Sequence, residues 1–461
     1  MAKDKKFSFF DVILSVICVV FVAEAAAPAT AIGNSQFFWW ILLIITFLLP
    51  YGFIVAELGT TYDKDGGLYD WVRDAFGDKW GARVSWYYYI NFPMWIASLA
   101  VLFPTTISGL VGHDLGTGVS IAIELAFVWT VVFLSFSKVS DSAWIMNAGA
   151  VLKVAIAVGV GILGIQYGMS HGFANPITAA DLLPDFTDVN SITYLSIILF
   201  NFMGFEVVCT FTDVMKSPEK DMPKAIIAGG LAIAAIYLFS SFGISAAIPV
   251  SEVSLDSGIT DAVAVMVGEN SPIFIAVSVM FLLTLFGNMV SWSFGVNSVA
   301  CYAAKDGNMP RVFAKENEAG MPTGAACVNG VIASLLILLQ LIAGEDSSFF
   351  WIFFAMNVVF LLLSYIPMFP AFKRLRKVDP NARRPFTCPA KGGMLNVFVW
   401  LPVIELILSI IATVVPLNSS DAEMEKIPML IGILVFVVLG ELVRIYSARG
   451  RKADYLGMKS L

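Results

Sequence analysis

The sequence predicts an all-α membrane protein of twelve transmembrane helices, built as a five-plus-five inverted repeat with two peripheral helices, in which helices 1 and 6 are broken. Three observations predict this. Of 461 residues, 58% are hydrophobic and 14% charged, which is far from the balance of a water-soluble domain. The long uncharged runs are separated by segments whose basic residues alternate in number. With the N-terminus placed in the cytoplasm, all of the 28 Lys and Arg residues fall in inner segments except Lys153, inside a span, and Lys426, outside. Finally, two spans carry helix-interrupting stretches: Ala23-Glu24-Ala25-Ala26-Ala27 before Pro28, and Gly204-Phe205-Glu206. They occupy matching first positions in two blocks of five, the placement in which discontinuous helices meet near the membrane midplane.

The first span, about 9–33, is longer and more interrupted than the apolar core of a cleaved leader and is read as a retained helix. Its break is assigned to Pro28, which has no backbone N–H to donate. Span two, 36–61, ends on Glu57, and Asp70 follows; both acids are expected to organise the cytoplasmic side. Span three, 83–112, supplies Tyr88, Asn91 and Trp95; span four, 117–137, holds Glu124; span five, 142–168, holds Lys153. Span six, 190–215, carries Phe200, Asn201, Gly204 and Glu206. Spans seven, eight, nine and ten follow at 223–248, 270–303, 322–343 and 347–369, with Trp292 and Asn297 in the eighth and Tyr365 in the tenth. The peripheral spans are 393–415 and 426–448. The chain thus divides into a cytoplasmic N-terminus (1–8), a first repeat (9–168), a second repeat (190–369), a peripheral pair (393–448) and a cytoplasmic C-terminus (449–461). Glu124, Glu405 and Glu441 receive no role.

The same reading excludes several function classes. Cys18, Cys209, Cys301, Cys327 and Cys388 are scattered without metal or disulfide spacing. His113 and His171 are the only histidines, both at outer loop ends, so no metal site, cofactor or catalytic base is expected. The longest inner loop, about 373–393, is short and basic, which leaves no soluble catalytic domain. The net charge of −7 reflects acidic outer loops and gives no reason to expect a nucleic-acid partner. Polar residues and helix breaks at membrane depth instead line a path, so the expected class is a transporter surrounded by lipid bilayer.

Three motifs sharpen this. Ala56-Glu57-Leu58 is followed by Asp65-Gly66-Gly67-Leu68-Tyr69 and Ala75-Phe76-Gly77. Gly204-Phe205-Glu206 is followed by Asp213, Ser217-Pro218-Glu219-Lys220 and Met222-Pro223-Lys224-Ala225-Ile226. Ala304-Lys305-Asp306-Gly307-Asn308-Met309-Pro310 is followed by Phe313-Ala314-Lys315 and Gly320-Met321-Pro322. In this order, over about 7–370, the set resembles the amino acid/polyamine/organocation (APC) superfamily of transporters, most closely its bacterial exchangers of amino acids and amines. The resemblance implies the LeuT-like fold, with substrate held between the interrupted first and sixth helices and the third, eighth and tenth. It implies a bacterial inner-membrane location with both termini cytoplasmic, and it admits a homodimer.

One departure from that family is informative. Relatives that bind amino acids usually have a Gly-Ser-Gly-type run in the first break, whose free N–H groups hold the substrate carboxylate. Here Ala23-Glu24-Ala25 stands in its place, and a glutamate would repel such a carboxylate and favour a cation. Glu206, by resemblance, lines the central site and couples to exchange; two carboxylates would take the two ends of a diamine or of agmatine. Lys153 resembles the fifth-helix lysine of sodium-independent relatives, which substitutes for sodium and gates the two facing states. By its distance from Lys305-Asp306-Gly307, Trp292 matches a substrate-contacting aromatic suited to cation–π contact. Phe200 takes a gate-like position, and Tyr88, Trp95, Asn201 and Tyr365 complete the candidate lining. The expected activity is exchange of small cationic amines by alternating access, agmatine entering as putrescine leaves. The alternative in the same fold is an amino-acid permease or an amino acid/amine antiporter. An enzyme is not expected.

Overall fold

Hydrocarbon offers no water to backbone N–H and C=O groups, so a chain this apolar must satisfy them along its own helices. The computed structural model describes residues 13, 17, 20–62, 66–185, 194–206, 218–341 and 349–459; for 139–143, 146, 218, 219, 421, 422 and 451–459 this extends to the backbone only. Among these residues ten helices are long and apolar enough to cross a membrane, and the described chain holds no strand.

A 3-10 turn at Ala23–Ala25 leads into α1 (Ala26–Thr30). Next come α2 (Gln36–Thr61), which contains a π turn at Ile44–Leu48, α3 (Leu68–Phe76), α4 (Asp78–Val111), α5 (Thr117–Leu134) and α6 (Val139–His171). The second half holds α7 (Leu195–Phe200), α8 (Pro218–Ala247), α9 (Gly258–Val267), α10 (Pro272–Lys305) and α11 (Thr323–Leu338). It closes with α12 (Phe349–Tyr365), α13 (Met368–Val378), α14 (Gly392–Val414) and α15 (Lys426–Lys459). The spans expected from sequence that are missing from the set of ten are the first and the sixth, described here only as the short pieces around α1 and α7. Residues 1–12 and 207–217, with Cys18, Cys209, Asp65, Asp213 and Ser217, lie outside the described residues.

Three local features differ from the sequence reading. Span ten was expected to stop near 369, yet after a bend at Ile366–Pro367 the chain continues as α13. The reason is an amphipathic pattern: Met368, Phe369, Phe372 and Leu375 are buried, while Lys373, Arg374 and Lys377 face outward. The helices α3 and α9 lie in stretches read as loops, too short to register as spans. The third difference concerns Pro28. It is the third residue of α1, in the first turn, where no intrahelical donor is needed, so the proline interrupts nothing. The chain departs from helix earlier, at Val22, which is extended (φ −124°, ψ 118°).

The long helices α4, α6, α8, α10 and α12 pack against one another around the short pieces. Within their most apolar stretches, 72% of α12–α13 is buried but only 22% of α15, which separates a central helix from a lipid-facing one. Lys426, the exception to the charge alternation, is buried and pairs with Glu423 at 2.6 Å and with the Ala412 carbonyl at 2.8 Å.

Small residues set how closely α6 meets its neighbours. A Cβ on Gly243 of α8 would lie 2.4 Å from the Val160 carbonyl oxygen, and one on Gly149 would lie 3.2 Å from the Gly287 Cα of α10. Backbone therefore touches backbone at both crossings. Gly149 is one turn before Lys153, and Gly287 adjoins Asn288, so these contacts determine where both polar side chains arrive. Gly243→Ala is expected to lower stability by about 1–3 kcal/mol through overpacking. Thermal unfolding in detergent measures this, and an unchanged midpoint would contradict the close crossing.

Candidate functional site

The site begins where the backbone is extended at Val22. Phe21 still donates helically to the Ile17 carbonyl (3.0 Å), but at Val22 the ladder ends. In a buried setting each freed group needs a partner. The Val22 N–H donates to the Tyr237 hydroxyl at 3.0 Å, and that hydroxyl donates back to the Val22 carbonyl at 2.9 Å. Lys153 Nζ donates to the Phe21 carbonyl at 2.8 Å. Two side chains, one from α8 and one from α6, thus hold the gap.

Glu24 is the middle residue of the 3-10 turn that follows, and it is 2% exposed. Its Oε1 accepts from Asn288 Nδ2 at 3.0 Å, while Asn288 Oδ1 accepts from Lys153 at 2.8 Å. The amide orientation follows from chemistry, because an ammonium only donates and a carboxylate accepts. Glu24 Oε2 has no hydrogen-bond partner among the described residues. The indole N–H of Trp95 is directed at this carboxylate without reaching hydrogen-bond geometry. Trp95 stands edge-on to Phe200 at 5.4 Å and to Trp292 at 5.1 Å between ring centroids. Aromatic rings from α4, α7 and α10 therefore gather next to a carboxylate with one open oxygen.

The second carboxylate is held differently. Glu206 Oε2 accepts from the Tyr51 hydroxyl and Oε1 from the Tyr88 hydroxyl, each at 3.1 Å. Tyr365 also turns its hydroxyl to Glu206, and the same hydroxyl accepts from the Gly204 N–H at 3.2 Å. Phenol groups from α2, α4 and α12 thus surround Glu206. Gly204 joins the two clusters. At φ +102° it adopts a conformation open to glycine, and its ideal Cβ would lie 3.2 Å from the Trp292 ring.

Of the residues singled out from sequence, Glu24, Lys153, Trp95, Trp292, Phe200 and Gly204 converge at the first cluster, and Glu206, Tyr88 and Tyr365 at the second. Ala23 and Ala25 flank Glu24 as buried turn residues. Asn201, the cap of α7, is buried with neither amide atom hydrogen-bonded among the described residues. Asn297 instead accepts from Asn329 at 2.7 Å, joining α10 to α11. Glu57 pairs with Arg376 and Arg384 and accepts from the Cys388 N–H at 2.7 Å; Asp70 pairs with Arg73 at 2.6 Å. Sequence reading missed Tyr51, Tyr237 and Asn288. For Asn288 a signal existed: it lies one helical turn before Trp292 and so shares its face. Among the described residues no group of three or more His, Cys, Asp or Glu is arranged to hold a metal. Tyr237→Phe removes the one atom serving both Val22 groups, so a loss of about 1–3 kcal/mol of stability is expected, read by thermal unfolding. A variant as stable as the parent would show that the gap does not depend on this hydroxyl.

Comparison with known proteins agrees with this architecture. The amino acid permease family model matches residues 7–439. A probable agmatine/putrescine antiporter of Lactococcus lactis subsp. lactis is 52% identical over 443 residues, covering 95% of this chain and 94% of its own. An uncharacterised transporter of Legionella pneumophila is 26% identical, covering 89% and 90%, and a glutamate/gamma-aminobutyrate antiporter of Lactococcus lactis subsp. lactis is 22% identical, covering 97% and 92%. With its multiple membrane-crossing helices and this match across nearly its whole length, the chain belongs to the amino acid permease family.

Proposed function

We propose that this protein is a secondary transporter that exchanges small cationic amines across the bacterial cell membrane, agmatine against putrescine, by alternating access of a twelve-helix, five-plus-five fold with helices 1 and 6 broken. The observation that carries the reading is Oε2 of Glu24, which has no hydrogen-bond partner among the described residues. A buried carboxylate oxygen in that position is costly to maintain unless something supplies a donor. An ammonium or guanidinium supplies it together with a charge, and the faces of Trp95, Trp292 and Phe200 suit the same group through cation–π contact. The highly similar relative named for agmatine and putrescine supports the choice of guest.

In this reading the two carboxylates do unequal work. Glu24 receives the cation. Glu206, already served by hydroxyl donors, ties the sixth span to α2, α4 and α12, and Lys153 holds the first break with a fixed positive charge in place of a bound ion. A guest that neutralises Glu24 lowers the cost of closing the chamber over it, which couples movement to occupancy and gives exchange.

Counterflow of labelled putrescine in proteoliposomes tests this. Agmatine is expected to compete, while arginine, ornithine and glutamate, each with a carboxylate to place beside Glu24, are not. Glu24→Gln is expected to raise the KM for putrescine on the order of ten-fold or more, the worth of a charge-assisted hydrogen bond. Strong competition by amino acids, or an unchanged KM in the variant, would overturn the reading.

A further inference from the structure

We propose that Asn288 is a positioning residue that keeps Lys153 and Glu24 from forming a contact ion pair, and so leaves one carboxylate oxygen of Glu24 free for a cationic guest. The inference rests on the proposed role of Glu24 as cation acceptor.

The geometry brings opposite charges to one place for different reasons. Lys153 is required at the Phe21 carbonyl, where it donates at 2.8 Å into the gap in the first span. Glu24 lies three residues further along that same strand of backbone. Backbone contact between Gly149 and Gly287 brings α6 and α10 together one turn from Lys153 and next to Asn288. An ammonium on a flexible stem, beside a buried carboxylate, is attracted far more strongly than it would be in water. A direct pair would satisfy the carboxylate internally and compete with any incoming amine.

Asn288 occupies the space between the two. Its Oδ1 takes the ammonium at 2.8 Å and its Nδ2 serves Glu24 Oε1 at 3.0 Å. Asparagine offers an acceptor to the one and a donor to the other on two separate atoms of one short neutral side chain. Aspartate would repel Glu24, and an apolar residue would leave the charges to meet. The amide therefore steadies one oxygen of Glu24 without discharging the group, while Oε2, beside the rings of Trp95, Phe200 and Trp292, has no partner among the described residues.

The test is putrescine counterflow in proteoliposomes with the full chain, separating KM from maximal rate, for the parent and for N288A, K153Q, N288A/K153Q and E24Q. N288A is expected to raise KM about ten-fold, the effect of Lys153 closing onto Glu24. The decisive variant is N288A/K153Q. Glutamine can still donate to the Phe21 carbonyl but carries no charge, so KM in the double variant is expected to fall back to within about two-fold of K153Q alone. A merely structural asparagine would give a double variant worse than either single one. E24Q at parental KM would overturn the role of Glu24 itself. Raised KM in E24Q with parental KM in N288A, or a double variant no better than N288A, would overturn the spacer and leave the Glu24 reading standing. If N288A does not yield folded protein, N288S takes its place, with the same rise and the same recovery expected.

Discussion

The structure depends on how Val22 and Phe21 are satisfied. An extended residue in the middle of a membrane segment exposes an N–H and two carbonyls that no solvent can reach, and each would cost several kcal/mol if left alone. Tyr237 serves both groups of Val22 with one hydroxyl, and Lys153 serves Phe21. The backbone can then turn, and the turn carries Glu24 inward rather than along a helix face. The glycine contacts of α6 with α8 and α10 matter for the same reason, because Tyr237 and Lys153 arrive at Val22 and Phe21 only if those helices lie close.

The two buried carboxylates show two ways of accommodating negative charge at membrane depth. Around Glu206 the donors are phenols, neutral groups on three separate helices, and the result is a junction between segments far apart in the chain. Around Glu24 the hydrogen-bond donor among the described residues is the Asn288 amide, which also holds an ammonium, and the rings of Trp95, Trp292 and Phe200 lie close by. Each oxygen of Glu206 has a hydroxyl donor, whereas Oε2 of Glu24 has none among the described residues, and the proposed roles of the two acids rest on that inequality.

Much of this could be read from the sequence, for identifiable reasons. Long uncharged runs and basic loops are written directly in composition, so the ten continuous spans matched their expected positions closely, α10 at Pro272–Lys305 against 270–303 for example. Glu24, Gly204 and Glu206 were singled out because charge and glycine are rare inside spans. The reason the backbone leaves helix at Val22 was not found. Proline is a visible signal, whereas the partner that holds an extended residue lies 215 positions away, in a tyrosine that looks like any other in an aromatic-rich chain. Asn288 and Tyr51 escaped for a similar reason: their importance lies in which side chain stands opposite, a property of packing rather than of local pattern. The amphipathic α13 was hidden by its basic residues, which resemble a cytoplasmic loop until their spacing is set against the buried Phe369, Phe372 and Leu375.

The clasp between Glu57 and the segment that follows α13 has a mechanical meaning. Glu57 lies one turn before the end of α2, and it grips Arg376, Arg384 and the amide of Cys388. The helix α13 rests on α3, α14 runs along α2, and α15 leans on α4, where Trp86 donates to the Phe436 carbonyl and Arg83 meets Glu441. The C-terminal quarter of the polypeptide is thus buckled to the opening third, while α14 also packs on α7 and α12 and α15 on α12. The tail is thereby a strap between α2 and α4 on one side and α7 and α12 on the other.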